Sequence, residues 1–204
     1  MPKVYKKRSY RSTARRQRFR LKLTFTHFAI AVIIAGILIV GWLSTRQFVR
    51  ESGPYTVLGK PSISADFINQ VLAHYQSSAA GKGQALYNDG VKYGIDPVYA
   101  LAFFMHESRF GTTGVATVTH SLGNIRATAG YQSYKGYRMY HTWEEGFEDW
   151  YQLIAKQYVT QWGSTTVDQI VPVYAPGSDH NDVAGYIQAV NTAVDTSNGG
   201  SGEL

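Results

Sequence analysis

The stretch IDPVYALAFFMHESRFG, residues 95–111, carries a full set of helix signals. Asp96 is a good N-cap and Pro97 suits the first helical position, while Gly111 is a plausible C-terminal stop. The pattern therefore predicts a helix from Pro97 to about Ser108. Most of its residues are apolar, so the helix is expected to face the core.

One carboxylate, Glu107, interrupts this apolar helix. It follows Phe103 and Phe104 by four and three residues, so it shares their face. Burial on that face should raise its pKa, and so should the helix dipole, which disfavours negative charge in the last turn. A raised pKa suits a general acid. The alternative is a structural carboxylate paired with Arg109 or His106 at the edge of the core.

The charges of the 204-residue chain are unevenly distributed. Ten of the twenty Lys and Arg residues lie in residues 1–22, whereas all fourteen acidic residues lie at Glu51 or later. From Glu51 onward, eight basic residues face fourteen acidic ones, a net charge of −6, so the basic pI belongs to the N-terminal tail. The chain has no cysteine, so any exported part must be held together by its own core.

Residues 23–45 contain no charged side chain, and the run FAIAVIIAGILIVGWL dominates them. At ~1.5 Å per residue they reach roughly 35 Å, enough to cross a hydrocarbon core of ~30 Å. Residues 23–43 are therefore predicted to be a transmembrane anchor. A cleaved signal peptide is the alternative, but no small-x-small cleavage site follows the run.

The basic tail predicts the orientation of this anchor. Positive charge next to a span stays in the cytoplasm, so the remainder of the chain is expected outside, in a single-pass cell-membrane protein. Contact with anionic lipid is a simpler interpretation of the tail than nucleic-acid binding. The predicted organisation is a cytoplasmic tail, an anchor, a linker, one folded domain and a flexible tail, at residues 1–22, 23–43, 44–62, 63–194 and 195–204.

Within the folded domain, helical and strand patterns are both present. An alternating stretch, GYQSYKGYRMY, predicts a β-hairpin turning near Lys135 and Gly136. Thr142 and Glu145 form a capping box that opens a long amphipathic helix reaching Tyr158. Further helical segments are predicted at residues 67–75, 84–93, 167–171 and 182–194. Helices around a small β lobe make a mainly helical α+β fold.

Four blocks, in this order, resemble the bacterial glucosaminidase-type peptidoglycan hydrolases of glycoside hydrolase family 73. They are IDPVYALAFFMHESRFG, SLGNIRA, GYRMYHTWEEGFEDWYQLI and YAPGSDHNDVAGYIQAV, and the likeness covers roughly residues 64–194. The resemblance implies a lysozyme-like fold with a cleft between the helical body and the β lobe. It also implies cleavage of β-1,4 bonds after N-acetylglucosamine in the glycan strands of peptidoglycan.

The resemblance also implies roles for individual residues. Glu107 matches the general acid of the family in its helix-end ES motif. Gly123, Asn124 and Ile125 are expected to line the cleft, and Tyr140 matches a catalytic tyrosine placed near the reacting sugar. Independently of the resemblance, the lobe tyrosines Tyr131, Tyr137 and Tyr140 are candidates for stacking on sugar rings. Tyr134, beside the turn, is interpreted as ordinary strand packing.

One departure from the family concerns the second carboxylate. Some members have a glutamate in the β lobe, whereas residues 109–143 contain no Asp or Glu. Capping and a solvated face account for the acidic residues that follow, Glu144, Glu145, Glu148 and Asp149. Three mechanisms remain open: a water held by polar lobe groups including Tyr140, assistance from the 2-acetamido group of the substrate, or intramolecular attack as in lytic transglycosylases.

Other classes of function are weaker interpretations. The zinc-protease motif is absent, because no histidine stands at position 110 after His106 and Glu107. Asp179, His180 and Asp182 are interpreted as a loop and a helix cap, so neither a metal nor a cofactor is expected. A non-catalytic wall-binding module and a wall-assembly scaffold are the alternatives favoured by the missing lobe carboxylate. A buried acid argues against both, since a binder does not need one.

Overall fold

A computed structural model describes residues 53–199 of the chain. The predicted tail and anchor, residues 1–22 and 23–43, lie outside these residues. Within residues 53–199, every helix is too short or too polar to span a membrane. The elements are α1 (Ala65–His74), α2 (Gly83–Tyr93), α3 (Pro97–Ser108), α4 (Ala116–Thr119), β1 (Ser133–Tyr134), β2 (Tyr137–Arg138), α5 (Trp143–Gln152), a π-helix (Leu153–Gln161), α6 (Val167–Tyr174), a 3₁₀ turn (Gly177–Asp179) and α7 (Val183–Asn198).

Helix α3 is the central helix of the domain and has the predicted bounds. The Asp96 carboxylate accepts a hydrogen bond from the Val98 amide at 3.2 Å, which confirms the predicted cap. All eight residues from 97 to 104 are buried, so the first two turns of the helix are enclosed on every side, whereas His106 in the last turn is exposed. Trp150 of α5 packs on the rings of Phe103 and Phe104, with centroids 5.5 and 5.2 Å apart.

The other helices surround α3. Helices α1 and α2 pack on each other, α2 contacts α5, and α7 lies along α3 and α6. The sequence from 53 to 62, predicted as the end of a linker, also belongs to the domain: Thr56 and Leu58 form isolated β-bridges with Thr166 and Ile95. Helix α7 continues to Asn198, four residues beyond the predicted end of the domain.

The β lobe follows α3 and contains the predicted hairpin. Strands β1 and β2 are antiparallel, with Tyr134 opposite Tyr137. The two turn residues, Lys135 and Gly136, have φ values of 49° and 85°, which is the conformation of a tight hairpin turn. The predicted turn is therefore confirmed. One small hairpin on a helical body fits a lysozyme-like α+β domain.

Helix α5 begins as predicted but does not continue as a regular α-helix. The Thr142 hydroxyl accepts from the Glu145 amide at 3.2 Å, while the Glu145 carboxylate accepts from the His141 amide instead of the Thr142 amide. From Leu153 onward the backbone hydrogen bonds follow the π pattern, in which each amide bonds to the carbonyl five residues earlier. One example is the bond from the Trp162 amide to the Gln157 carbonyl at 3.0 Å. The sequence predicted a single helix here.

Candidate active site

Glu107 lies in the last turn of α3, at the point where the chain leaves the body for the lobe. Ser108 ties this end to the lobe: its hydroxyl donates to the Leu122 carbonyl at 2.8 Å and accepts from the Gly111 amide at 2.9 Å. Arg109 then closes the helix in the left-handed region, at φ 48°. The backbone that carries Glu107 is therefore held from two sides.

Two side chains from distant parts of the sequence contact Glu107. The Tyr186 hydroxyl on α7 donates to the Glu107 Oε1 at 2.7 Å. The Asn124 Nδ2 donates to the main-chain carbonyl of Glu107 at 2.7 Å. Asn124 itself has φ 46°, a left-handed conformation that asparagine tolerates better than most residues. The carboxylate and its backbone are thus positioned by α7 and by the lobe.

Burial raises the pKa of Glu107 from its ordinary 4.5 to about 7. Hydrogen bonding by Tyr186 and Asn124, and then the charge of Arg126, act in the opposite direction without cancelling the effect of burial. A group with this pKa is protonated in a large fraction of molecules near neutral pH. Glu107 can therefore hold a proton and also give it up.

The structural alternative, an ion pair with Arg109 or His106, is not seen. Among residues 53–199, the ion pairs do not include Glu107. The Arg109 guanidinium lies 5.7 Å from the centroid of the Tyr75 ring, and His106 stacks on the Tyr186 ring with centroids 3.7 Å apart. Glu107 is therefore a carboxyl group without a charged partner at contact distance.

Glu107 opens into a cleft of about 410 Å³. The lobe, the π-helix with the residue that follows it, and the segment from α6 to the start of α7 supply the other lining residues. These are Asn124, Ile125, Arg126, Thr128, Tyr137, Arg138, Leu153, Gln157, Tyr158, Trp162, Val173, Tyr174, Ala175, Asp179 and Asn181. A second depression of about 300 Å³ shares Glu107 and Asn181 with this cleft. Glu107 therefore lies where two depressions meet, which gives room for a chain that extends past it on both sides.

Some of the residues predicted to line the cleft do so, and one lies behind it. Asn124, Ile125 and Tyr137 line the cleft. Gly123 lies behind it, where its carbonyl accepts a hydrogen bond from the Tyr174 hydroxyl. A Cβ at this glycine would come within 2.5 Å of Trp150 Cδ1, so a side chain there would clash with the core.

Tyr140 and Tyr131 are both directed to Asp149 on α5. The Tyr140 hydroxyl donates to the Asp149 Oδ2, and the Tyr131 hydroxyl lies 3.4 Å from Oδ1. Arg138 completes the group: its guanidinium is 2.7 Å from Asp149 and 3.8 Å from the Tyr131 ring centroid. Neither tyrosine is among the residues that line the cleft. Their proposed contacts with sugar stay predictions.

Burial and the Asp149 carboxylate raise the pKa of Tyr140. Its hydroxyl therefore stays protonated and serves as a hydrogen-bond donor. Asp149, in turn, accepts hydrogen bonds from three side chains, those of Arg138, Tyr140 and Tyr131. The sequence places Asp149 on a solvated face of α5, whereas in the structure its carboxylate is half-buried and joins the lobe to the body.

The glucosaminidase family model, described as mannosyl-glycoprotein endo-beta-N-acetylglucosaminidase, matches residues 83–198. The matched region runs from α2 through the lobe to the end of α7, so it includes Glu107 and the cleft. The chain belongs to the glucosaminidase family. It is a glycoside hydrolase of the endo-β-N-acetylglucosaminidase type, and its substrate is peptidoglycan. No curated protein matches the chain.

Several residues of this candidate site could not be found from the sequence. Trp162 lines the cleft and is 46% exposed, with its ring packed on Tyr158 at 4.9 Å. Asp179 lines the same cleft instead of only closing a loop. Tyr186 falls within the predicted last helix, where the sequence pattern alone assigns it no contact with Glu107. No local signal marks these residues, because each reaches the site through a long-range contact.

A metal site is not found in the described residues. Between residues 53 and 199 no group of three or more His, Cys, Asp or Glu side chains could hold an ion. The charged residues that line the glucosaminidase cleft are Glu107, Asp179, Arg126 and Arg138.

Proposed function

We propose that Glu107 is the general acid with which this glucosaminidase cleaves the β-1,4 bond after N-acetylglucosamine. The observation that carries the proposal is a half-buried carboxyl group, of pKa about 7, at the junction of two depressions. Protonation of the glycosidic oxygen makes the sugar a better leaving group, and an acid with a pKa near the working pH does this most effectively. Tyr186 holds the Oε1 atom, leaving the other oxygen to carry the proton.

The second step uses the substrate's own 2-acetamido group. The lobe contributes no carboxylate, and Asp179 is bound to Arg126 at 2.9 Å. The carbonyl oxygen of the acetamido group attacks the anomeric carbon as the bond to the leaving oxygen breaks and that oxygen takes the proton of Glu107. Water then opens the cyclic intermediate, with Glu107 as the base. The product keeps the anomeric configuration and carries a reducing end.

Product analysis separates this route from the other two. An inverted anomeric product would indicate direct attack by water, and a product lighter by one water would indicate intramolecular attack as in lytic transglycosylases. Both products can be recognised by mass spectrometry and by proton resonance of the fresh digest. The groove that continues past Glu107 on both sides favours cleavage within a glycan strand.

We also infer that the protein acts at the outer face of the cell membrane, anchored by residues 23–43. The uncharged run in residues 23–45 and the ten basic residues in positions 1–22 support this placement. Peptidoglycan lies on that side, within reach of a domain that begins soon after the anchor. The scaffold and binding-module alternatives would need the same location but no proton donor.

Replacing Glu107 by Gln tests the acid. The amide keeps the shape of the side chain and removes the proton, so the rate of wall cleavage should fall by about 10²- to 10⁴-fold. The wild-type rate should decline as pH rises through about 7, because Glu107 then loses its proton. Release of reducing ends from purified peptidoglycan, followed across this pH range, measures both effects.

Glu148→Gln is the matched control. Glu148 is exposed on α5, pairs with Lys92 at 2.5 Å and does not line the cleft. An exposed ion pair contributes little to stability, so this variant should cleave at nearly the normal rate. Near-normal cleavage by Glu107→Gln would reject the proposed acid.

A further inference from the structure

The β lobe differs in charge from the rest of the domain. Residues 53–199 contain eight Lys and Arg against twelve Asp and Glu. Residues 109–143 contain four of those basic residues and no acidic one. The segment without its expected carboxylate is therefore a positively charged lobe on a negatively charged domain, and it forms one wall of the cleft.

Only one cation of the lobe is presented to the cleft. Arg109 lies in another depression and Lys135 lies at the hairpin turn. Arg138 lines the cleft, but it is 7% exposed and bound to Asp149. Arg126 also lines the cleft, and its side chain is 64% exposed. An anionic ligand in the cleft would therefore meet Arg126.

The Arg126 guanidinium is held on two sides and open on the rest. Its centre lies 5.2 Å from the centroid of the Tyr137 ring, and Nη2 donates to the Asp179 Oδ2 at 2.9 Å. A guanidinium has five N–H donors, and in the described residues its side-chain hydrogen bond uses one nitrogen. Because the ring and Asp179 restrain the group, a carboxylate can bind the remaining donors at a small cost in side-chain entropy.

We infer that Arg126 selects the acidic form of the glycan by binding a carboxylate on the muramyl unit next to the cleaved N-acetylglucosamine. The inference rests on the proposed function, which places that bond at Glu107. Muramyl sugars carry a lactyl group and, through it, a peptide with free carboxylates, whereas a plain N-acetylglucosamine polymer has none. A paired, charge-assisted hydrogen bond from arginine discriminates between the two.

A binding experiment on the full-length chain tests this selection. Because Arg126 also lowers the pKa of Glu107, rates would mix two effects, so every variant carries Glu107→Gln. The ligands are a soluble peptidoglycan fragment with its stem peptides, the same fragment with its carboxylates converted to amides, and an N-acetylglucosamine oligomer of equal length. Titration calorimetry gives the Kd of each ligand with and without Arg126→Gln.

Arg126→Gln should weaken binding of the acidic fragment by about tenfold, the usual effect of a charge-assisted hydrogen bond. Binding of the amidated fragment and of the oligomer should stay unchanged. Lys135→Gln is the matched control, since it removes a lobe charge that does not line the cleft, and it should leave all three Kd values unchanged. Higher salt should weaken the binding of the acidic fragment and leave the binding of the other two ligands unchanged.

Three results would overturn the proposed selection. Arg126→Gln could weaken the binding of all three ligands equally, it could weaken the binding of none, or Lys135→Gln could weaken the binding of the acidic fragment as much. The proposed acid is judged separately, by the cleavage that Glu107→Gln retains. If Glu107→Gln still cleaves while Arg126→Gln selectively weakens the acidic fragment, the assignment of Glu107 fails and the selection by Arg126 stands.

Discussion

At the scale of single residues, Glu107 is a carboxyl group whose surroundings favour its neutral form. Its charge would be poorly solvated at the end of α3, and the one hydrogen bond to Oε1, from Tyr186, does not offset this. The fold therefore binds the proton more tightly than the unfolded chain does. If Glu107 is the proposed acid, its ionised form therefore costs stability while its proton serves catalysis.

Stability should depend on pH through this residue. Between pH 4.5 and about 7 Glu107 is protonated in the native state and ionised in the unfolded chain. Because the unfolded chain is stabilised by losing this proton, the free energy of unfolding falls as pH rises through this window. Glu107→Gln removes that loss. The thermal midpoint of the variant, relative to wild type, should rise across this window and then level off.

Thermal unfolding at several pH values checks whether the midpoint of Glu107→Gln rises relative to wild type. Glu148→Gln is the control. Hydrogen bonding to Lys92, and then to Tyr93, lowers the pKa of Glu148 against a smaller opposing effect of burial. Because the pKa of Glu148 is shifted in the opposite direction from that of Glu107, Glu148→Gln should give no such rise. A Glu107→Gln variant that is less stable than wild type above pH 7 would show that the carboxylate is structural.

At the scale of elements, the change from α5 to the π-helix shapes the cleft. The π-helix contributes Leu153, Gln157 and Tyr158 to the lining, and Trp162 caps its end. Trp162 is packed on one side by Tyr158 and is exposed on the other. An exposed indole offers an apolar face on which a sugar ring can stack.

Trp162→Ala should therefore weaken substrate binding. We expect KM for peptidoglycan to rise about three- to tenfold, the loss of one aromatic contact, with kcat nearly unchanged because Glu107 is not touched. Trp162→Phe should restore most of the affinity. Steady-state kinetics on soluble glycan fragments separate the two constants.

Tyr134→Ala is the control for Trp162→Ala. Tyr134 is also an exposed aromatic residue, but it lies at the hairpin turn and does not line the cleft. Its removal should leave KM unchanged. If Trp162→Ala lowered kcat alone, or Tyr134→Ala raised KM as much, the indole would not be a sugar-binding surface.

At the scale of the whole molecule, the chain divides into a basic N-terminal part and an acidic enzyme domain. All ten basic residues of positions 1–22 precede the uncharged run, and every acidic residue follows it. This arrangement is typical of a protein whose N-terminus stays in the cytoplasm. The enzyme would then face the wall it cleaves.

Protease treatment of intact spheroplasts tests this topology. With an epitope tag at the N-terminus and another at the C-terminus, external protease should remove the C-terminal tag and spare the N-terminal one. Lysed spheroplasts, in which both tags should be lost, are the control. Loss of the N-terminal tag from intact cells would reject the predicted orientation.

The parts of the fold that depend on near neighbours in sequence could be predicted. The Asp96 cap with Pro97 determines where α3 begins, and Lys135–Gly136 determines the hairpin turn, because each acts over two to four residues. Glu107 stood out for the same reason, as a carboxylate on an apolar helix. Its expected shift in pKa is also upward in the structure.

Only the tertiary structure decided how the site is assembled. Tyr186 is 79 residues from Glu107, and Asp179 is 53 residues from Arg126, so no local pattern joins them. The same packing turns Tyr140 towards Asp149 and places Trp162 in the cleft. Sequence periodicity specifies which face of an element is apolar, whereas the partners of a polar side chain depend on which elements meet around the core.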